Sequence, residues 1–165
     1  MSKQNPSDFN KYQDLVPDLT DWNNFILRDE LLPDLLNDDL SDILYWAGKN
    51  LAIKFPVTNS DLPAFFATNH WGTLNKQKES SQKVVWQLTG QPINNRLKMN
   101  KDCEFMLETG FLAQTQEQNS GSLSEAEYKK KLTGGIEITV VTDPNQPAPE
   151  QAENPTVVFP QTDPE

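Results

Sequence analysis

The chain has few of the side chains that enzymes use as nucleophiles, bases or metal ligands. Its 165 residues include one cysteine, Cys103, and one histidine, His70. A single cysteine excludes an intrachain disulfide and fits a reducing compartment. No His and Cys cluster has zinc-site spacing, and no glycine-rich loop opens a helix as in phosphate-binding motifs. We therefore expect no metal ion, no cofactor and no enzymatic activity.

Basic residues and long apolar runs are also scarce. The chain has 14 Lys and Arg against 24 Asp and Glu, a formal net charge of −10. Because nucleic-acid binding needs clustered cations and the only basic run is Lys129–Lys131, we expect no nucleic-acid partner. No segment approaches the roughly 20 apolar residues that span a bilayer, and Met1–Asp18 has no signal-peptide pattern. The sequence thus predicts a cytoplasmic protein.

The two ends of the chain differ in composition from the body. Residues 1–18 are polar and aperiodic, which predicts a flexible arm, and a single domain is expected over residues 19–142. Residues 143–165 hold six of the 12 prolines and five acidic but no basic residues. Such a segment buries too little apolar surface to offset its ordering entropy, so it is predicted to be a disordered acidic tail. Its apolar cluster Thr156–Phe159 is either a chance cluster, which we favour, or a short docking segment.

Apolar spacing and caps predict the elements of the body. Five segments read as helices: Asp21–Leu36, Ser41–Phe55, Asp61–Thr68, Asp102–Asn119 and a short one from the capping box Ser124–Glu127. Pro33 should kink or split the first of them near Leu31. Three segments read as strands: Gly72–Glu79, Lys83–Leu88 and Gly135–Thr142. Ile93–Met99 is either a short strand or irregular. This order predicts an α+β fold with helices packed on an antiparallel sheet.

Two of the predicted helices contain an internal glycine, Gly48 and Gly110. A glycine in a helix interior costs about 0.5–1 kcal/mol relative to alanine. It usually marks a place where something packs close to the backbone. Either the two helices pack tightly together or a ligand is pressed against them.

Cys103 has two interpretations. In the first turn of a helix that begins after Asp102, the helix dipole can lower a thiol pKa. The same residue heads an apolar stripe with Met106, Leu107 and Gly110, where a free cysteine is a small buried hydrophobe. We favour the buried interpretation. A redox or thiol-based sensor or enzyme that uses Cys103, with His70 as its base, is the alternative.

Five motifs in chain order carry a family resemblance. They are Leu31–Leu36, Leu44–Lys49, Ala64–Phe66 with Trp71–Leu74, Asn95–Leu97 and Cys103–Ala113. The series resembles the YslB-type family of low-GC Gram-positive bacteria, whose function is not established. The resemblance covers roughly residues 20–142.

The same layout more distantly resembles the 4-vinyl-reductase-type ligand-binding domain, whose superfamily includes TRAPP transport-particle subunits and haem-based nitric-oxide sensors. The matching residues are Tyr45, Gly48 and Lys49, then Trp71 and Gly72, then Cys103 and Gly110. The resemblance implies an α+β fold, dimerisation through helices and a cavity for a small apolar ligand. Haem is not expected, because the sensors bind it through a helical histidine and His70 sits at a helix-to-strand junction.

The expected function is a non-enzymatic module, dimeric, that binds a small apolar ligand or another protein through the surface formed by the two glycine-bearing helices. The candidate ligand-binding residues are Tyr45, Gly48, Lys49, Trp71, Cys103, Met106 and Gly110. A further alternative is a scaffold whose acidic tail recruits a basic partner.

Overall fold

A computed structural model describes residues 22–151 and 154–159. The expected flexible arm over residues 1–18 and the last residues of the predicted tail, 160–165, lie outside the described residues. Helices cover one face of a four-stranded antiparallel sheet with the strand order β1-β2-β4-β3. The predicted α+β architecture is confirmed.

Along the chain, groups of helices alternate with pairs of strands. The helices are α1 (Trp22–Phe25), α2 (Leu32–Leu36), α3 (Leu40–Lys54), α4 (Leu62–Thr68), α5 (Gln91–Met99) and α6 (Met106–Ser120). A π-helical turn, Ile26–Leu31, joins α1 to α2, and a 3-10 turn, Asn37–Asp39, joins α2 to α3. The strands are β1 (Thr73–Glu79), β2 (Lys83–Thr89), β3 (Ser122–Lys130) and β4 (Ile136–Pro147). Among the described residues, no helix combines the length and apolar character needed to cross a bilayer.

The first predicted helix changes its geometry next to its proline. Pro33 occupies the first turn of α2, immediately after the π-helical turn ends at Leu31. A proline is tolerated there because the first N–H groups of a helix have no intrahelical acceptor. At the break predicted near Leu31 the helix changes from π-helical to α-helical, and the backbone of Leu31 and Leu32 stays helical.

Three other local predictions are wrong. Ile93–Met99, expected as a strand or irregular, belongs to α5, with Pro92 in the first turn of that helix. The predicted capping box Ser124–Glu127 is part of strand β3, in which Ser124 is buried while Glu125 and Glu127 are exposed. The helix expected from Asp102 begins only at Met106.

The core lies between the sheet and α6. β2 and β4 turn alternate residues inward, and Trp86 pairs with Ile138 across them. Trp86 is only 3% exposed and Ile138 is fully buried. The alternation predicted for both strands is therefore confirmed, and α6 lies over their apolar face, buried along nearly its whole length.

Strand β4 continues past the predicted boundary at residue 142 to Pro147. The Thr142 N–H donates to the Gln82 carbonyl at 2.9 Å, and beyond Thr142 the strand pairs, among the described residues, only with β3. Prolines are tolerated there because their missing N–H groups are not needed on the free side. Further on, the Val157 N–H donates to the Pro56 carbonyl at 2.8 Å, and the Phe159 ring packs edge-on against Phe65. The described part of the expected disordered tail thus contacts the body, as in the docking interpretation.

Candidate functional site

The two glycine-bearing helices, α3 and α6, cross at their glycines. A Cβ atom on Gly48 would lie 2.1 Å from the Leu107 carbonyl oxygen. One on Gly110 would lie 2.0 Å from the Tyr45 carbonyl oxygen. Real Cβ atoms are not found so close to a backbone oxygen, so only glycine permits this crossing. Of the two explanations offered by the sequence, the structure shows tight helix–helix packing at both positions.

Tyr45 and Lys49 reach from α3 to the edge strand β3. The Lys49 ammonium lies 3.1 Å from a Glu125 carboxylate oxygen. The Tyr45 hydroxyl donates to the same carboxylate and accepts from the Ala126 N–H at 3.2 Å. Burial, followed by the bond to Glu125, raises the pKa of Tyr45, so the phenol stays protonated as a donor. These contacts satisfy part of the free edge of the sheet, which would otherwise expose unpaired backbone groups.

Trp71 lies in a different setting, an aromatic cluster at the end of α4. Its ring packs edge-on against Phe65, Phe66 and Phe111, with centroid separations of 5.7, 5.2 and 5.5 Å. Phe65 and Phe111 stack nearly parallel at 4.6 Å. The predicted ligand-binding residues are therefore distributed between the α3–α6 crossing, this aromatic cluster and the start of α6.

Cys103 and Met106 lie at the start of α6. Cys103 precedes the helix and is buried. Burial raises the pKa of its thiol to about 11, and the nearby Arg96 charge offsets only part of that effect. A reactive cysteine needs a lowered pKa and access to solvent. The thiol-based alternative thus loses its premise that Cys103 occupies the first turn of a helix.

A buried ion-pair network joins three helical segments and was not foreseen from the sequence. Arg28 of the π-helical turn donates to both carboxylate oxygens of Glu108 at 2.9 and 3.0 Å. Arg96 of α5 donates to both oxygens of Asp29 at 2.8 and 2.9 Å, and it lies 3.7 Å from Glu108. Bidentate pairing of this kind is the strong form of a charge-assisted hydrogen bond. No signal in the sequence connects partners 80 positions apart, as Arg28 and Glu108 are.

The charges of this network set its protonation. Burial would raise the pKa of Glu108, but the Arg28 and Arg96 charges outweigh it and hold the pKa below its usual value. The Arg96 guanidinium also stacks on the Phe105 ring, 4.5 Å from its centroid. Within residues 22–151 and 154–159, no three His, Cys, Asp or Glu side chains come together as a metal site would require. The network therefore acts as a structural tie between the π-helical turn, α5 and α6.

The outer face of α3 exposes large apolar side chains. Trp46 is 61% exposed and Ile43 is 42% exposed. Among the described residues, ten large apolar side chains are exposed, and six of them fall between Ile26 and Trp46. Clustered exposed apolar residues mark protein–protein or ligand-binding surfaces. The motifs Leu31–Leu36 and Leu44–Lys49 contain three of these residues, but their exposure was not predicted, although the spacing of Ile43 and Trp46 could have indicated it.

Two concave regions lie away from this face. One is an open groove of about 1060 Å³ on the outer face of the sheet, lined mainly by charged and polar side chains that include Lys83, Lys129 and Glu137. The other is a cavity of about 380 Å³ between the end of α6 and the C-terminal segment.

Two solved structures resemble the fold. The phenol-responsive sensory domain of the transcription activator PoxR, solved with phenol, superposes with a TM-score of 0.54 at 8% identity, over 70% of this chain and 71% of that chain. An unliganded Fe(II) H-NOX protein from K. algicida gives a TM-score of 0.43 at 14% identity, over 84% of this chain and 96% of that chain. At such low identity the likeness to the PoxR domain shows the fold alone.

The chain also has a relative and a family that are recognised by sequence similarity. The uncharacterized protein YslB of Bacillus subtilis (strain 168) is 39% identical over 124 residues, which is 74% of this chain and 84% of the relative. Residues 22–141 match the family described as "Protein of unknown function (DUF2507)". This match spans nearly the whole predicted body, and the resemblance to a YslB-type family is confirmed. The chain belongs to the DUF2507 family.

Proposed function

We propose that this protein is a non-enzymatic interaction module that pairs with a second copy of itself through the outer face of α3. The observation that supports the proposal is the exposed apolar stripe on that face. Spacings of three, four and three residues place exposed Ile43, Trp46 and Asn50 and half-buried Ile53 in one line along the helix, and all of them except Asn50 are apolar. The opposite face of the same helix is already occupied by α6.

The charges at the two ends of the stripe suit an inverted copy of the same helix. Asp42 lies at the N-terminal end of the stripe and Lys54 at the C-terminal end. When two such helices pack antiparallel with Ile43 of each opposite Ile53 of the other, each Asp42 also lies at the same height along the helix pair as a Lys54 of the other copy. The helix dipoles are then antiparallel as well. This arrangement is self-complementary, as an isologous two-fold interface requires.

A stable dimer buries roughly 800 Å² per partner, which is more than one helix stripe supplies. The exposed side chains of the preceding helical segment extend the apolar surface. Leu27, Leu31 and Leu35 follow one another at intervals of four residues and are all exposed. We propose that they form the outer part of the same interface.

The oligomeric state of the full chain tests this proposal. Light scattering across a dilution series should give a dimer mass that falls toward the monomer. Trp46→Glu should give a monomer at every concentration, because it places a charge at the centre of the apolar stripe. Leu132→Glu, at a more exposed apolar residue on the β3–β4 turn, should leave the dimer intact. A wild-type chain that is monomeric throughout, or a Trp46→Glu variant that dimerises normally, would contradict the proposal.

A second candidate function is the binding of a small aromatic ligand, favoured by the position of Phe159. This ring comes from the C-terminal segment and packs edge-on against Phe65 at 6.1 Å, beside Trp71 and Phe111. The phenol-responsive PoxR domain, with which this chain shares its fold, was solved with phenol. We propose that a small aromatic molecule competes with Phe159 for the aromatic cluster.

Phenol binding to the full chain, followed by Trp71 resonances in an NMR titration, tests the second candidate. Phe159→Ala should bind phenol more tightly than the wild type, because the competing ring is gone. Val158→Ala, at an exposed neighbour, should behave as the wild type. Equal phenol response in all three proteins, or none in any of them, would rule this candidate out.

A further inference from the structure

The cavity between α6 and the C-terminal segment is bounded by a segment that the body holds in place. The Ala148 N–H donates to the Gly121 carbonyl at 3.0 Å. Beyond it, the Asn154 side chain donates to the Ile53 carbonyl at 2.8 Å, and the Val157 N–H bonds the Pro56 carbonyl. These contacts keep one wall of the cavity against the last two turns of α6. The cavity volume of about 380 Å³ lies in the range of small-molecule sites.

Glu117 lines this cavity with a buried carboxylate. The residue is 2% exposed. One carboxylate oxygen accepts from the Gln114 amide at 3.2 Å and the other from the Ser124 N–H at 3.1 Å. Both donors are neutral, and no Lys or Arg among residues 22–151 and 154–159 pairs with Glu117. Four acceptor sites with two donors leave capacity for further hydrogen bonds.

A buried carboxylate without a cation is costly. The other buried carboxylate of α6, Glu108, has two arginines beside it. Removing a charge from water costs several kcal/mol unless an opposite charge or several hydrogen bonds compensate. Glu108 and Glu117 of α6 are thus equally buried, but only the charge of Glu108 is compensated by arginines. The difference points to a cation that residues 22–151 and 154–159 do not supply.

The remaining walls combine amide and apolar groups. Gln118, Asn119 and Gln151 present amides, and Gln151 also accepts from the Gln114 amide at 3.3 Å. Pro56 and Pro149 also line the cavity and present apolar surface. An alkyl chain fits between such walls while its charged end reaches a carboxylate.

We propose that this cavity binds a primary aliphatic amine, with the ammonium group donating to Glu117 and the alkyl chain between Pro56 and Pro149. The amine is either a free small molecule or the side chain of a lysine. An anion is excluded as the ligand because it would meet the Glu117 carboxylate in a protein of net charge −10.

Titrations of the isotope-labelled full chain by NMR test the proposal. n-Butylamine and 1,4-diaminobutane represent free amines, and Nα-acetyl-lysine amide represents a lysine side chain. n-Butanol is the uncharged control. Saturable shifts of the Gln114, Ser124 and Gln151 amides are expected with the amines and not with n-butanol. Tighter binding of the lysine derivative than of the free amines would identify a lysine side chain as the source, and the reverse a free amine.

Matched variants separate the charge from the shape of the site. Glu117→Gln keeps an acceptor for the Ser124 N–H but removes the charge, so amine affinity should fall at least about tenfold. Gln118→Glu adds a carboxylate to the wall and should raise the affinity. Glu79→Gln, which removes an exposed charge at the end of β1, should leave the amine affinity unchanged. Equal shifts with n-butanol, no saturable shift with any amine, or undiminished binding by a folded Glu117→Gln variant would overturn the proposal.

Discussion

The two faces of α3 are both apolar, but only one of them has a partner within the described chain. The inner face carries Leu44, Gly48 and Ala52, which are buried. The outer face carries Ile43 and Trp46, which are exposed. A surface helix of a monomeric protein has one apolar and one polar face. The difference between the faces of α3 is therefore that one apolar surface stabilises the fold and the second is the surface that we propose for association.

The largest expected effect comes from placing a side chain at Gly48, where the inner face of α3 contacts α6. Gly48→Leu would drive a side chain into the Leu107 carbonyl and separate α3 from α6. We expect a loss of more than about 4 kcal/mol in the free energy of unfolding, measured by urea denaturation.

The matched control for this change lies two residues further on, on the outer face. Asn50→Leu introduces the same side chain where the helix is exposed, so the fold should keep its stability. In the proposed dimer it should also strengthen association, because it extends the apolar stripe. Equal destabilisation by the two substitutions would remove the distinction between the faces.

A somewhat smaller effect is expected from the buried charges beneath the inner face. Glu108→Gln would leave Arg28 buried without its carboxylate partner, at a cost of about 3 kcal/mol. Glu137→Gln, which removes two partly exposed ion pairs on the sheet, should cost far less.

The same carboxylate predicts how stability depends on pH. Because the pKa of Glu108 is lowered in the folded state, its stabilisation is complete above the unfolded-state pKa of about 4.3. It is lost as the pH falls through the lower folded value. The difference in urea midpoint between the wild type and Glu108→Gln should therefore be constant from neutral pH down to about pH 5 and shrink in more acidic solution. A difference that grows on acidification would contradict this assignment.

The smallest expected effect is at the flank between the two faces. Tyr45→Phe removes the hydroxyl that joins α3 to Glu125 and to the Ala126 N–H of the edge strand. We expect a loss of about 1–2 kcal/mol in unfolding free energy. The monomer–dimer equilibrium should not change, because Tyr45 lies off the outer stripe. A change in association without a change in stability would place the interface on this flank instead.

Some of this picture could be predicted from the sequence because it rests on local rules. Interior glycines at 48 and 110 indicated a close approach, and strand alternation in Lys83–Leu88 and Gly135–Thr142 indicated the buried face of the sheet. Asp102 was a misleading cap. The turn before α6 is instead fixed by Arg96, which donates to the Glu104 carbonyl at 2.8 Å. That contact is a tertiary one and leaves no periodic signal.

The sequence did not predict the helix over Ile93–Met99 or the ion-pair network, and the reason is related. α5 is polar and short, so burial of Ile93 and Arg96 against the rest of the fold outweighs weak local preference. The Arg28–Glu108 pair bridges distant segments, and sequence spacing carries no information about it. The predicted ligand-binding residues were drawn from the glycine helices and from Trp71 at a strand entry, whereas the cavity that contains Glu117 depends on where the C-terminal segment lies.

The most direct test of the central claim uses two charge variants that should pair only with each other. Asp42→Lys places lysine against Lys54 in its own dimer, and Lys54→Asp places aspartate against Asp42 in its own dimer. Mixed together, the two variants should form heterodimers with two complementary pairs. In the heterodimer the introduced lysine meets the introduced aspartate, and the unchanged Lys54 of one variant meets the unchanged Asp42 of the other. Native mass spectrometry of the equimolar mixture should show the heterodimer well above its statistical share. A statistical mixture of dimers, or monomers only, would contradict the pairing of α3 with an inverted copy of itself.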